Sequence, residues 1–200
     1  MQLQANEKTE DFITETRWGY TIDPAMKEIW SVELEILKEF DRVCDTMHLK
    51  YFLDSGTLLG AVRDGRFIPW DDDIDVIMLR DDYDNLVEDR GKSFSQEYFF
   101  QCAYTDIEYP RGHAQLRKKG TCAMIPYESA YVKFNQGIFI DIFVLDGISP
   151  DKEKLKQQFV EKNKLLKYLN LIGIPASTKK INTYIKQILR IPAKMLHPNS

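Results

Sequence analysis

Phe67-Ile-Pro-Trp-Asp-Asp-Asp-Ile-Asp-Val-Ile-Met-Leu79 sets four carboxylates, Asp71, Asp72, Asp73 and Asp75, at the head of an apolar run. Pro69 biases Ile68 away from helix, so Phe67 to Asp71 reads as an extended loop and Ile74 to Leu79 as a strand. Residues two apart in a strand share a face. Asp73 and Asp75 therefore converge on one site, while Ile74 points into the core and Asp72 faces away. The flanking Ile74, Val76, Ile77 and Leu79 mark a buried strand, where unpaired carboxylates are costly, and a divalent cation is the expected partner. Two other readings stay open here: a solvated acidic surface, and a D-x-D pair holding manganese in a nucleotide-sugar glycosyltransferase. An EF-hand fits worse, because Val76 stands where its turn needs Gly and Asp82 where a bidentate Glu is usual.

Outward toward the N-terminus, Tyr51-Phe-Leu-Asp54 reads as a short buried strand. Ser55-Gly56-Thr57 then forms a turn before a short helix over Leu58 to Val62, so its backbone N–H groups and the helix start can cradle phosphate. Asp23-Pro24 gives N-cap and first residue of a longer helix. Its apolar stripe is Met26, Ile29, Trp30, Leu37, Phe40, Cys44 and Met47, and it should end near His48. Toward the C-terminus, residues 81–90 read as a surface helix, and Tyr98 to Tyr104 and His113 to Lys118 as strands. Gly137-Ile-Phe-Ile-Asp-Ile-Phe-Val-Leu145 reads as a strongly apolar strand. Asp141 is its one charged residue, flanked on the same face by Phe139 and Phe143, and suits a third ligand or a general base. Asp146-Gly147 reads as a turn, His48 and His113 lack ligand-like spacing, and Tyr83 reads as core packing.

These elements describe a mixed α/β domain over residues 23–150, preceded by a polar arm over 1–22 and followed by two helices over 151–200. The charge divides the same way. Residues 1–150 carry 16 basic and 28 acidic side chains, whereas 151–200 carry 11 and 3. The whole chain has a formal net charge of −4, which argues against a general nucleic-acid binder. Leu155, Phe159, Leu165, Leu166 and Leu169 mark the first basic helix, and Ile181, Ile185, Ile188 and Leu189 the second, beyond a break at Gly173 to Ser177. Such helices suit peripheral contact with an anionic membrane, against the plainer reading that their apolar stripes pack on the domain. No apolar run approaches a membrane span and the first 30 residues lack a signal-peptide core, so a cytoplasmic location is expected. Cys44, Cys102 and Cys122 are too scattered for a disulfide framework and read as reduced, buried thiols.

Ser55-Gly-Thr-Leu-Leu-Gly-Ala-Val-Arg63, Phe67 to Asp75, and Ile138-Phe-Ile-Asp-Ile-Phe-Val-Leu-Asp-Gly147 together resemble the LicD family, which includes bacterial phosphocholine transferases and is similar to fukutin and fukutin-related protein. The resemblance runs from about Asp23 to Gly147. It implies a nucleotidyltransferase-like mixed sheet flanked by helices, with the metal-site pair at Asp73 and Asp75 and the third acidic position at Asp141. It also implies Mg2+ or Mn2+, a CDP-linked donor such as CDP-choline, and a hydroxyl acceptor on a cell-surface glycan or its lipid-linked precursor. Ser55, Gly56 and Thr57 would position phosphate, Arg63 and Arg117 would neutralise it, and Trp70 offers an aromatic face to a base or to choline. Two departures stand out. The family's Lys-x-Arg strand is Gln115-Leu-Arg117 here, and a Tyr-Gly-Asp-Tyr-Met segment with a Pro-Pro pattern is absent, as expected of a truncated form. A metal-dependent glycosyltransferase and a non-catalytic glycan-binding or scaffold remnant are the rival classes.

Overall fold

A computed structural model describes residues 12–106, 109, 111–124 and 133–173. Among the described residues eleven elements follow in order: β1 (Glu15–Arg17), β2 (Tyr20–Ile22), α1 (Pro24–Met47), β3 (Tyr51–Leu53), α2 (Ser55–Arg63), β4 (Asp75–Leu79), α3 (Arg80–Asp89), β5 (Tyr98–Gln101), β6 (Ala114–Lys118), β7 (Phe139–Leu145) and α4 (Lys152–Gly173). The expected α/β class holds: strands β3 to β7 form one mixed sheet in the order β3-β4-β7-β6-β5, flanked by helices. Only β4 and β7 run parallel among these neighbours, with Asp75 registered on Asp141.

The caps read from the sequence delimit α1. The Asp23 carboxylate accepts from the Met26 N–H at 2.8 Å, Pro24 occupies the first turn, and His48 ends the helix in the left-handed conformation. Ile36, Leu37, Phe40, Val43 and Cys44 of α1 pack with Val76 and Met78 of β4, Leu116 of β6, and Ile140 and Ile142 of β7. The period-two alternation of β4 and β7 buries these residues and leaves Asp75 and Asp141 on the other face.

Several expectations need correction. The supposed arm contains a hairpin: β1 and β2 pair antiparallel, turning at Trp18 and Gly19, both with positive φ. That is the turn geometry that matches strand twist, and Gly19 supplies it without strain. Arg17 anchors the hairpin by donating to the Phe67 carbonyl at 3.1 Å, and Glu15 meets Lys27 at 2.8 Å. The strand expected over residues 98–104 stops at Gln101, where the chain turns and the Thr105 hydroxyl donates to the Phe100 carbonyl at 2.7 Å. Asp146 is more than a turn residue: both its oxygens accept from Arg80, each at 2.7 Å. Cys44 and Cys102 are buried thiols, but Cys122 is exposed.

Helix α4 begins where Asp151 accepts from the Glu153 and Lys154 N–H groups, at 2.9 and 3.0 Å. Phe159, Leu165 and Leu166 on it are exposed. The second basic helix and its apolar stripe lie outside the described residues. Among the described residues no helix is long and apolar enough to cross a membrane.

Candidate functional site

The acidic centre follows from sheet register. Because β4 and β7 are parallel neighbours with Asp75 opposite Asp141, two carboxylates 66 positions apart in the chain lie side by side. Asp73 precedes β4 by two positions and so emerges on the face of Asp75, while Ile74 between them is buried. Asp73, Asp75 and Asp141 each offer one oxygen, and these atoms all lie within 4.8 Å of one another. Asp72 is exposed, in the loop ahead of β4.

Helix α2 is fastened to this centre. The Asp54 N–H donates to the Asp75 carbonyl at 3.0 Å, and the Thr57 hydroxyl accepts from the Asp75 N–H at 2.9 Å. The expected turn at Ser55 to Thr57 is the first turn of the helix itself, with Ser55 at φ 49°. Gly56 is required by space: a Cβ there would meet the Asp71 carboxylate at 2.2 Å. Thr57 thus orders the strand entrance, whereas Ser55 and the helix start remain beside the carboxylates.

Asp141 is held from β6. Gln115 Nε2 donates to Asp141 Oδ1 at 2.6 Å, and His113 Nε2 lies 3.0 Å from the same oxygen. His113, set aside in the sequence for want of spacing, and Gln115, read there only as a lost charge, both touch the acidic centre. Their alternation along β6 was the available signal; the pairing of β6 with β7 was not readable. Arg117 corrects the expectation of a phosphate neutraliser. It is 2% exposed, donates to the Gln101 and Gln115 side chains and the Gly137 carbonyl, and lies over the Phe139 ring. Its guanidinium fixes Gln115, which in turn fixes Asp141.

Glu33 was missed altogether. It occupies the gap between Trp30 and Leu37 in the apolar stripe of α1, so a carboxylate on a buried face was legible. It is 3% exposed, and its Oε2 lacks a hydrogen-bond partner among the described residues. Burial, and then the facing charges of Asp73, Asp72 and Asp71, push its carboxyl up to about 9. Burial and Asp75 push Asp73 up to about 6. Burial and Asp141 do the same for Asp75, to about 6, against the pull of a Ser55 hydrogen bond. Burial and Asp72 also raise Asp71.

These shifts have a definite sign. Below the unfolded value of 4.5 both states hold the Glu33 proton. Above it the unfolded chain releases the proton while the folded chain keeps it, so stability falls as pH rises toward about 9. Asp73 and Asp75 act in the same direction but have finished by neutrality. Between pH ~6.5 and ~8.5, in chelator, the parent should therefore lose about 5 °C of melting temperature while Glu33→Gln loses almost none. Equal slopes in the two proteins would place the buried charge elsewhere.

Two candidates stand at the rim. Arg63 is exposed, pairs with Asp64 at 2.9 Å and stacks over Trp18 at 4.6 Å. Trp70 is exposed and meets the rings of Trp18 and Tyr20, each at 6.0 Å between centroids. Trp30, by contrast, is buried against Phe67 and donates to the Asp71 carbonyl at 2.7 Å.

Residues 48–158, more than half of the chain, match the family model described as LicD/FKTN/FKRP, nucleotidyltransferase domain. The lipopolysaccharide cholinephosphotransferase LicD of Haemophilus influenzae is 32% identical over 142 residues, which is 71% of this chain and 52% of that protein. The human ribitol 5-phosphate transferase FKRP is 41% identical over 49 residues, 24% of this chain and 10% of that one. An uncharacterized protein of Rickettsia prowazekii is 33% identical over 88 residues, 44% of this chain and 30% of its own length. The aligned part thus spans about half of the Haemophilus protein and less of the others. The match encloses both halves of the acidic centre, and the chain belongs to the LicD/FKTN/FKRP family, through its nucleotidyltransferase domain.

Proposed function

We propose that this chain carries the catalytic unit of a metal-dependent phosphotransferase. It would move phosphocholine from CDP-choline to a hydroxyl of a cell-surface glycan or its lipid-linked precursor. The observation that carries this reading is the meeting of Asp73, Asp75 and Asp141 within 4.8 Å; the names of the relatives, cholinephosphotransferase and ribitol 5-phosphate transferase, suggest the substrate class. The unit is taken as residues 23–150 with the β1–β2 hairpin seated on it and 151–200 as an extension.

The residues fit a hard divalent cation. Three convergent carboxylates offer only oxygen, the donor type of Mg2+ and Mn2+, and burial first, then neighbouring carboxylates, raise Asp73 and Asp75, a cost that a cation would offset. Asp73, Asp75 and Asp141 would hold it. When bound, such an ion supplies positive charge to the phosphate oxygens and the departing CMP.

The chain's own groups do the remaining work. Ser55 and the N–H groups of the first turn of α2 would orient donor phosphate oxygens. Arg63 is exposed and would have to leave Asp64, whose side chain is largely covered, to reach the phosphates. In the transfer, the acceptor oxygen forms a bond to the phosphocholine phosphorus, the bond to the CMP oxygen breaks, and CMP leaves with that electron pair. The hydroxyl proton passes to Asp141, whose orientation Gln115 and His113 hold.

The test is a screen of CDP-choline, CDP-ribitol and nucleotide sugars with a glycan acceptor, with and without Mg2+, read by mass spectrometry. The expected result is metal-dependent CMP release matched by phosphocholine on the glycan. Sugar transfer from a nucleotide sugar would establish the glycosyltransferase instead, and release from neither donor would favour a binding module.

A further inference from the structure

Three large aromatics are exposed together next to the acidic centre. Trp18 is 59% exposed, Trp70 54% and Tyr20 39%, and Trp70 meets both of the others edge-on or tilted at 6.0 Å. They come from two places. Trp18 lies in the turn of the β1–β2 hairpin and Tyr20 opens β2, and Trp70 ends the loop that enters the acidic run. The hairpin is not free to drift, because Arg17 bonds the Phe67 carbonyl and Glu15 meets Lys27. Rings that merely packed would be covered, as Trp30 is against Phe67.

The patch already takes a cation. The Arg63 guanidinium carbon sits 4.6 Å from the Trp18 ring centroid, within the range in which an aromatic face attracts positive charge. The location matches a donor's head group. Trp70 precedes Asp73 by three residues, so their Cα atoms are at most about 11 Å apart. Asp71, between them, lies against Gly56 at the start of α2. A donor whose phosphates lie at Asp73 and the α2 start would reach this rim with its alcohol.

We infer that Trp18, Tyr20 and Trp70 form an aromatic cage for the quaternary ammonium of the transferred alcohol, and so select choline among CDP-linked donors. The inference rests on the donor reading given above and adds what distinguishes one alcohol from another. A weakly hydrated trimethylammonium gains from three ring faces, whereas a neutral group of the same shape gains only contact area.

The experiment uses the full chain in Mg2+ and calorimetric titration with three probes: CDP, CDP-choline, and the CDP ester of 3,3-dimethylbutanol, which replaces nitrogen by carbon. The parent should bind CDP-choline about tenfold more tightly than the neutral ester. Trp18→Leu and Trp70→Leu should each reduce that ratio several-fold, and together bring it to about one, with CDP affinity unchanged. Trp70→Phe should restore most of the preference. Both positions are exposed, and matching melting curves will confirm that the variants are folded. Retention of the preference in the double variant, or its absence in the parent while CDP still binds, overturns the cage alone. Failure of all three nucleotides to bind in Mg2+ overturns the donor reading and the cage with it.

Discussion

Asp73→Asn and Asp75→Asn will each lower metal-dependent CMP release by roughly a thousandfold or more and yet raise the melting temperature of the metal-free protein. Both effects have one origin. Asp73 and Asp75 are pushed up to about 6 by burial and by neighbouring carboxylates, so near neutral pH the folded protein holds charges that repel. Removing one charge at constant volume relieves that repulsion in the absence of metal. It also deletes one of the three oxygens that would hold the cation, so the rise in melting temperature expected of the parent in Mg2+ should disappear. Thermal unfolding in chelator and in Mg2+, beside a CMP assay, checks both. A variant that keeps the parent's Mg2+ response would remove its residue from the site.

Arg117→Met should cost about 3–5 kcal/mol, or about 10 °C in melting temperature. The side chain is 2% exposed, and its loss leaves the Gln101 and Gln115 carbonyl groups and the Gly137 carbonyl without their charged donor. The Phe139 ring would lose its cationic cover as well. Arg117→Lys should recover little, because one ammonium cannot serve three acceptors in the fixed spread of a guanidinium. Thermal or urea unfolding measures it. A variant with parental stability and weakened donor binding would return Arg117 to the phosphate.

Much of this architecture was legible because local chemistry declares it. Asp23-Pro24 and His48 bound α1, and the alternation around Asp75 and Asp141 assigns each residue to a face. Other features depend on which segments meet. Lys-x-Arg becoming Gln115-Leu-Arg117 looked like a lost charge at a phosphate. In the fold, β6 lies beside β7, which points Gln115 at Asp141 and buries Arg117 beneath it. The hairpin was hidden by its short strands and by Trp18 in the left-handed conformation, which a bulky residue rarely adopts. Glu33 could have been found by asking why the apolar stripe of α1 skips a position. That it faces Asp71 to Asp73 is visible only once α1 and the loop are packed together.

The parallel pairing of β4 with β7 also fixes when the centre comes into being. A chain growing from its N-terminus presents Asp73 and Asp75 long before Asp141 has been synthesised. Two parallel strands so distant in sequence join only after the intervening segment has found its place, a slow kind of step because loop closure precedes the reward of contact. Until then the emerging polypeptide has only two of the three carboxylates that would hold a divalent ion. If the proposed site takes an ion, its tight uptake during translation would therefore report that β7 has docked, and would draw the nascent chain toward that final state by mass action.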